Sequence, residues 1–569
     1  MRVTVRKLLE SPLLLASVAY LLAIVVIGPW GDFPLNDDWQ YAHLTKHWAE
    51  TGRWVVDTHT APSLIGQALI AVPWIKILGF SHLLLRAITI CLGWAGLWAI
   101  SSILCSLGTT ARVRSLILLV AVFNPLYLYF STTYMTEMYG YSIALVGAAC
   151  WFRSARPTPS WRAALGSAAI IGATFWIRQF CVVVFPAVLV AWICGLSARE
   201  RRQELRSALP RVLAACGVFC ATVLLYFLCA FVGGWTTDQF KGPFGRLLVP
   251  NRGWIVQPGL FIQYMTWFLC PLLVLFPWRQ LDLRRSLLVS ALLALPLGTS
   301  LIFVHRSMLW NHAPFDPAGD YFRNGFPHWG NVLHRAGVGP ILLSDLGLHP
   351  YRDSLELPAW VWSLVEFVVT LLSIQWIAAV GRRADGLRKD LRALAVFGVA
   401  FAFLAMTLAW QAYGFEMFDR YCFPGFLGLL FFLAGRLNST VKAIRPILFA
   451  ILLLPIAVYS VGGLHDQFRW NDVRWKLRDE VIRLGVPPGN IEGGIEMDGW
   501  NSLENQDSPL NCIGPCHCEK AEWWPCVDAS YRIGVWVRPG YTMVQSAQPT
   551  YWLTDGPALI VSRRTGTCH

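Results

Sequence analysis

Two adjacent carboxylates, Asp37 and Asp38, lie a few residues after the first long apolar stretch of the chain. A carboxylate in such a place can accept the proton of an attacking hydroxyl group, a role in which a positioned base raises a rate about 10²- to 10⁴-fold. The same residues also suit an ordinary helix start, with Asn36 as the N-cap and both acids in the first turn, where the helix dipole stabilises negative charge. From these residues alone, catalysis and helix capping are both open interpretations.

The composition identifies the surroundings of these acids. Of the 569 residues, 55% are hydrophobic and only 14% are charged, whereas globular proteins carry about 25% charged residues. The mean hydropathy of +0.48 therefore predicts an all-α polytopic membrane protein. The formal net charge of +13 could indicate a nucleic-acid partner, but the basic residues cluster in short connections between apolar stretches. That distribution is the topology signal of a membrane protein, so we expect a lipid bilayer and no nucleic acid.

Every second connection between apolar stretches is rich in Arg, and this alternation predicts the topology. By the positive-inside rule the Arg-rich connections and the amino terminus are cytoplasmic. About thirteen transmembrane helices follow, so the carboxyl terminus is expected outside the cell membrane. The spans are predicted near residues 12–28, 82–104, 115–133, 138–152, 163–178, 180–197, 212–233, 260–276, 286–304, 359–380, 393–411, 422–435 and 446–463.

This topology divides the chain into two predicted domains. Residues 1–463 would form the transmembrane domain, with a first outer loop at 29–81 and a long outer loop at 305–358. Residues 464–569 are polar and would form a small extracytoplasmic α/β domain. Residues 62–79 are apolar enough to span, yet counting them would place the later Arg-rich loops outside. We therefore expect them to form a helix that lies in the outer interface.

Five of the 15 cysteines lie in the predicted extracytoplasmic domain: Cys512, Cys516, Cys518, Cys526 and Cys568. The first four have the spacing C-x3-C-x-C-x7-C, which could also hold zinc. An extracytoplasmic compartment is oxidising and favours disulfides. We expect disulfides, and the sequence does not give their connectivity.

Beyond the two acids, a wider set of motifs resembles a known group of enzymes. The region after the first helix reads Asp37-Asp38-Trp39-Gln40-Tyr41-Ala42, followed by Pro62 and then by Leu84-Leu85-Arg86. Three later segments carry the same resemblance: Tyr134-Met135-Thr136-Glu137, Arg178-Gln179 and Phe418-Asp419-Arg420-Tyr421. Together they resemble the GT-C membrane glycosyltransferases, in particular the protein O-mannosyltransferase and aminoarabinose transferase group, which is glycosyltransferase family 39 with its bacterial relatives.

The resemblance implies a reaction and its partners. Such enzymes take a sugar from a polyprenyl-phosphate donor on the outer leaflet of the plasma (inner) membrane. They pass it, with inversion, to a hydroxyl group of an envelope glycan, lipid or protein acceptor. Asp37 matches the first acid of the family pair and is the implied general base. Asp38 and Glu137 would hold the acceptor or a sugar hydroxyl near it.

The leaving phosphate requires a fixed cation, and Arg178 and Arg420 are the candidates because an Arg fork matches phosphate oxygens. The alternative is that both side chains reach to lipid headgroups, or that Asp419 pairs with one of them to make its charge tolerable. Further candidates for binding the substrate are His59, Gln179, Asp419, Tyr41 and Tyr421, although tyrosines are also common in interfacial belts.

One position departs from the related transferases, which often have a Lys just before the Pro of the juxtamembrane segment. Here the sequence is His59-Thr60-Ala61-Pro62, and His59 is neutral much of the time near pH 7. Phosphate recognition would then fall to the two Arg residues, or to Lys46 or Lys241.

The sequence predicts no required cofactor. A divalent metal held by Asp37, Asp38 and Glu137 is chemically reasonable, but we do not expect one. The alternative functions are a transporter or flippase of envelope lipids and an envelope glycan polymerase or ligase. A transporter is expected to have charged residues paired across the bilayer and two repeated halves. The long outer loop at 305–358 is expected to act as a lid on the acceptor side, because loops of that length are more often functional than idle.

Overall fold

The computed structural model is mainly helical, with one short hairpin and one four-stranded sheet. The structure describes residues 11–55, 63–155, 158–196, 201–233, 253–275, 284, 287–298, 332–334, 337–339, 359–380, 393–402, 419–440, 446–504, 527, 529–553 and 556–565.

The first half of the chain is a succession of helices and two short 3-10 segments, Thr174–Trp176 and Gln179–Val183. The helices are α1 (Pro12–Ile27), α2 (Asp38–Thr51), α3 (Ile65–Leu78), α4 (His82–Ser106), α5 (Ala111–Val122), α6 (Pro125–Ser131), α7 (Thr136–Ser154), α8 (Trp161–Ala173), α9 (Val184–Gly195), α10 (Arg201–Gly233), α11 (Gly253–Leu273) and α12 (Leu287–Gly298).

The second half adds helices, the hairpin and the sheet. In chain order they are β1 (Leu333–His334), β2 (Gly337–Val338), α13 (Ala359–Val380), α14 (Ala393–Ala402), a 3-10 turn (Asp419–Cys422), α15 (Phe423–Thr440), α16 (Pro446–Arg483), a 3-10 turn (Pro488–Asn490), β3 (Ile491–Glu492), α17 (Ile495–Glu504), β4 (Tyr531–Gly534), β5 (Tyr541–Ala547) and β6 (Leu559–Arg564).

Local sequence signals explain where the early helices begin and end. α1 has a proline at its first position, where the missing N–H is not needed, and it ends at Gly28, whose φ is 64°. α2 ends in the same way at Gly52, with a φ of 71°. Because α1 ends before Gly28 and α2 begins at Asp38, residues 28–37 form the connection between the two helices, and this connection carries Asp37.

The predicted spans all contain helix, and the all-α prediction for the membrane part agrees with the structure. In the described part of the chain, four helices (α4, α10, α15 and α16) are long and apolar enough to cross a membrane. The pair α5 and α6 would be a fifth as one span, bent by 67° at its break. The exact count of thirteen spans stays a prediction. Residues 62–79 contain α3, which has 14 residues and is among the shorter apolar helices.

The C-terminal region combines helix and sheet, and its division into a separate α/β domain stays a prediction. Its sheet has the order β3-β4-β6-β5, with β3 parallel to β4 and the other neighbours antiparallel. The predicted boundary between residues 463 and 464 falls inside α16, a helix of 38 residues in all. At 1.5 Å per residue this helix is about 57 Å long, longer than the hydrocarbon core of about 30 Å. Its second half therefore extends beyond a bilayer and carries the C-terminal region.

The five cysteines predicted to form disulfides lie outside the described residues, so the disulfide hypothesis stays a prediction. The ten cysteines in the described part are free thiols, and they lie in or beside helices. Small apolar side chains of this kind need no special explanation in such a setting.

Candidate active site

The connection between α1 and α2 is shaped by Arg86 of α4, whose side chain is only 2% exposed. Its guanidinium donates to three backbone carbonyls, those of Pro29 at 2.8 Å, Gly31 at 2.6 Å and Phe33 at 2.9 Å. A planar group with five donors suits this task because it can join several carbonyls at once. Arg86 therefore fixes the path of the chain just before the two acids.

Asn36 makes the turn into α2 and has an unusual backbone for a residue other than glycine, with a φ of 55°. Its backbone N–H donates to Glu496 Oε1 of α17 at 3.2 Å, and its side-chain amide donates to Tyr129 Oη of α6 at 3.2 Å. The predicted role of Asn36 as the N-cap is wrong, because α2 begins at Asp38 and the N-cap position belongs to Asp37.

Asp37 lies at the N-cap position, yet its side chain makes no capping hydrogen bond. Its carboxylate instead accepts from Arg420 Nη1 at 2.8 Å. The side chain is 35% exposed, whereas that of Arg420 is 11% exposed. A helix-start function does not account for this side chain, since its carboxylate points to a cation 383 residues further along the chain.

Glu137, at the start of α7, is a second carboxylate next to the same arginine. Its Oε1 lies 3.1 Å from Arg178 Nη1 and 4.0 Å from Arg420 Nε, and its side chain is 1% exposed. Arg178 also donates to Thr136 Oγ1 at 2.6 Å. Asp37, Glu137, Arg178 and Arg420 thus form one cluster, which we call the Asp–Arg cluster.

Short helical turns hold the two arginines of this cluster. Arg178 directly precedes the 3-10 segment Gln179–Val183, and Arg420 lies in the 3-10 turn before α15. Both guanidinium groups lie near the ring of Tyr421, at 5.7 Å and 5.4 Å from its centroid. The aromatic face attracts both cations and so helps to keep them side by side.

Tyr41 of α2 completes this surface and is only 5% exposed. Burial, followed by the negative charge of Asp37, raises the pKa of its hydroxyl well above the ordinary value. The hydroxyl therefore stays protonated at neutral pH and can donate a hydrogen bond. The structure brings together Tyr41 and Tyr421 with the four charged residues.

Asp38 differs from its neighbour because its side chain is buried. Its two carboxylate oxygens accept from backbone N–H groups, one from Leu35 and the other from Tyr134 at 3.2 Å. Burial raises the pKa of Asp38 to about 8, although the positive charge of Arg86 opposes the shift. Asp38 thereby joins the α1–α2 connection to the connection before α7, and this geometry favours a supporting function.

Asp419 also lies deep in the protein, at 0% exposure. Its carboxylate accepts from the backbone N–H groups of Val332, at 3.1 Å, and Leu333, at 2.6 Å. These residues lie at the hairpin of β1 and β2, within the long outer loop predicted at 305–358. Asp419 thus fixes part of that loop beside Arg420, which is a different task from binding the sugar.

Gln179, a further candidate, has its own contact. The side chain of Gln179 interacts with Tyr226 of α10, so it supports the segment that carries Arg178. His59 and Pro62 lie outside the described residues, as does Lys241.

The carboxylates do not form a donor set for a divalent metal. Asp37 and Glu137 each face an arginine, and both oxygens of Asp38 accept backbone N–H groups. In the described part of the chain, no group of three or more His, Cys, Asp or Glu residues could hold a metal ion. We therefore derive no step through a metal.

Comparison with known proteins gives structural relatives at low identity. No protein-family model matches the chain, and no curated protein matches it. The chain is similar to ArnT from Cupriavidus metallidurans. In its apo state the identity is 12% and the TM-score 0.33, over 74% of this chain and 76% of ArnT. For ArnT bound to undecaprenyl phosphate the identity is 14% and the TM-score 0.34, over 75% of this chain and 77% of ArnT.

The chain is also similar to an oligosaccharyltransferase of Archaeoglobus fulgidus, in a complex with zinc and sulfate. The identity is 12% and the TM-score 0.37, over 82% of this chain and 55% of that one. TM-scores of this size leave the reaction to be argued from the site itself.

Sequence reasoning missed two residues that support the site, Arg474 and Glu496. Both lie in the region assigned to a separate domain, and Glu496 contacts the backbone of Asn36 across 460 residues of chain. Neither residue belongs to a motif, so a single sequence gave no signal for this contact.

Proposed function

We propose that the protein is an inverting membrane glycosyltransferase. It would move a sugar from a polyprenyl-phosphate donor to a hydroxyl group of an envelope glycan, lipid or protein. The observation that supports this most directly is the Asp–Arg cluster, in which the partly exposed Asp37 carboxylate pairs with Arg420 and the buried Glu137 joins Arg420 to Arg178. The Asp37 carboxylate could receive a proton, and the guanidinium groups of Arg178 and Arg420 could bind a phosphate.

In this proposal Asp37 is the general base. The acceptor oxygen attacks the anomeric carbon, and its proton passes to the Asp37 carboxylate as the new C–O bond forms. The bond from the anomeric carbon to the phosphate oxygen breaks, and the electron pair leaves with the polyprenyl phosphate. Asp37 suits this task because it is the most exposed acid of the cluster, at 35%.

Arg420 and Arg178 would bind the donor phosphate, on which negative charge grows as the bond breaks. Arg420 now pairs with Asp37 at 2.8 Å. A phosphate that takes over the N–H groups of Arg420 would release the Asp37 carboxylate for its work as a base. Donor binding would in this way prepare the base, while Glu137 keeps Arg178 in place at 3.1 Å.

The proposal includes a location. The positive-inside pattern favours the plasma (inner) membrane with a cytoplasmic amino terminus and the Asp–Arg cluster on the extracytoplasmic side. The hairpin at Asp419 lies within the long outer loop, beside Arg420, which supports a function of that loop as a lid over the acceptor. The sugar and the acceptor are left to experiment.

The decisive test is Asp37→Asn, which keeps the size of the side chain and removes its basicity. Purified variants would be assayed with polyprenyl-phosphate sugars and an extract of envelope acceptors. We expect normal abundance and a transfer rate lowered by at least about 10²-fold, the low end for loss of a positioned base. Asp32→Asn is the matched control. Asp32 lies in the same connection, and its carboxylate accepts from the backbone N–H of His82 at the start of α4. Turnover of Asp37→Asn close to that of an active parent would contradict the assignment of the base.

A further inference from the structure

The C-terminal region contacts the α1–α2 connection directly before the candidate base, at the backbone N–H of Asn36. That N–H donates to Glu496 Oε1 at 3.2 Å, and both residues are buried, at 1% and 0% exposure. The next residue along the chain is Asp37. Because Asn36 has a φ of 55°, which costs energy in a residue other than glycine, its conformation depends on contacts that hold it in place.

Glu496 is itself fixed by Arg474 of α16. Two nitrogens of the guanidinium, Nη1 and Nη2, each lie 3.2 Å from Glu496 Oε2, and Nη1 also donates to the carbonyl of Gly493 at 3.2 Å. Both side chains of this ion pair are 0% exposed. The two oxygens of Glu496 thus have separate tasks, since Oε2 faces Arg474 and Oε1 faces Asn36.

A second contact brings α17 against α2. A methyl group on Gly499 would lie 2.6 Å from ring atoms of Trp39, so only glycine allows this approach. Trp39 lies two residues after Asp37, and its side chain is 4% exposed. The contacts at Asn36 and Trp39 therefore lie on either side of Asp37, and α17 makes both.

We infer that Glu496 is a positioning residue: held by Arg474, it fixes the backbone of Asn36 and thereby sets the direction of the Asp37 carboxylate toward Arg420. This inference rests on the proposed function for its catalytic consequence, but the contact itself can be tested without turnover. On this view the C-terminal region completes the active site, because the base points correctly only while α17 is docked.

The test compares three variants of the full-length protein in detergent. Glu496→Ala removes the acceptor for the Asn36 N–H. Glu496→Gln keeps one oxygen, which can accept from Asn36 or from Arg474 but not from both, because the amide nitrogen is a donor. Asn501→Ala is the matched control: Asn501 is also buried on α17 and accepts from Arg478 of α16, at 3.0 and 2.7 Å, but it does not contact Asn36. The control loosens the same pair of helices without touching the connection that carries the base.

With an active parent, we expect Glu496→Ala to lower kcat by about 10²-fold, as a displacement of about 1 Å can, with KM for the donor changed by less than about twofold. Asn501→Ala should keep kcat within about threefold of the parent, and the kcat of Glu496→Gln should lie between those of Glu496→Ala and the parent. Equal losses of kcat in Glu496→Ala and Asn501→Ala would overturn the inference, because both losses would then come from weaker packing of α17 on α16. Parent-like turnover by Glu496→Ala, while Asp37→Asn is inactive, would overturn the inference and leave the proposed function standing.

Hydrogen exchange gives a readout that needs no substrate. Peptides that cover residues 35–38 should exchange faster in Glu496→Ala than in the parent, and at the parental rate in Asn501→Ala. If the parent transfers no sugar from any donor, the proposed function fails while this difference still decides whether Glu496 holds Asn36. Identical exchange in all of these variants would overturn the inference on its own.

Discussion

Asp37 and Asp38 are neighbours in the chain, but their surroundings give them different chemistry. Asp37 is partly exposed and faces Arg420, whereas Asp38 is buried and accepts two backbone N–H groups. The double acid of the sequence is therefore one candidate base and one structural acid. Glu137, which is distant in sequence, is the second carboxylate beside the arginines.

The raised pKa of Asp38 predicts a pH-dependent stability. Because burial raises this pKa from 3.8 to about 8, the folded state holds a proton that the unfolded chain releases above about pH 4. The stability of the parent relative to Asp38→Asn should therefore fall as pH rises from about 4 to about 8 and should level off above that. Thermal unfolding of the two proteins at several pH values measures this difference. A difference that does not change across this range would show that Asp38 is already ionised in the folded protein.

Arg420 should not be replaceable by lysine. An ammonium group is a single point charge and cannot form the paired contacts that a guanidinium makes with Asp37, Glu137 and a phosphate. We expect Arg420→Lys to lower kcat/KM for the donor by at least about tenfold, corresponding to about 1.4 kcal/mol. Arg202→Lys, at the exposed start of α10, is the control and should behave as the parent. Equal kinetics in both variants would remove Arg420 from phosphate binding.

At the scale of elements, close packing of α17 on α2 holds one wall of the site. Phe33 stacks on Trp475 of α16, with ring centroids 6.5 Å apart, and Trp39 packs against Gly499. These contacts join the α1–α2 connection to the C-terminal region on both sides of Asp37. The region is thus part of the structure that positions the candidate base.

Gly499→Ala tests this packing directly. The added methyl group would lie 2.6 Å from the Trp39 ring, and such overpacking typically costs about 1–3 kcal/mol. We expect a lower Tm and reduced turnover. Gly166→Ala in α8 is the control, because a methyl group there meets no atom within 4 Å and alanine favours a helix over glycine. A Tm for Gly499→Ala equal to that of the control would show that α17 can move away from α2 without loss.

At the scale of the whole molecule, the cluster collects residues from connections that are far apart in sequence. Asp37 follows α1, Glu137 begins α7, Arg178 precedes α9, and Arg420 precedes α15. The predicted topology places all four connections on the same side of the membrane. In the structure the four side chains converge, and the side of the membrane on which they lie stays a prediction.

The topology predicts opposite locations for two reporter fusions. The Arg-rich connection near residue 200 is expected inside by the positive-inside rule, and the carboxyl terminus outside. A reporter inserted after residue 200 and another fused after residue 569 should give opposite signals. Equal signals would make the number of spans between them even and would contradict the seven spans predicted after residue 200.

The sequence by itself determined the class of the protein, because composition and the spacing of apolar runs depend only on the solvent that each segment meets. It also determined the residue types of the candidate site, since short motifs carried Asp37, Glu137, Arg178 and Arg420. Only the tertiary structure decided which acid faces an arginine, that Asp419 fixes a loop, and that Glu496 supports Asn36. Those outcomes depend on contacts between residues up to 460 positions apart, and no local pattern in a single chain records which distant group will fill a given hydrogen bond.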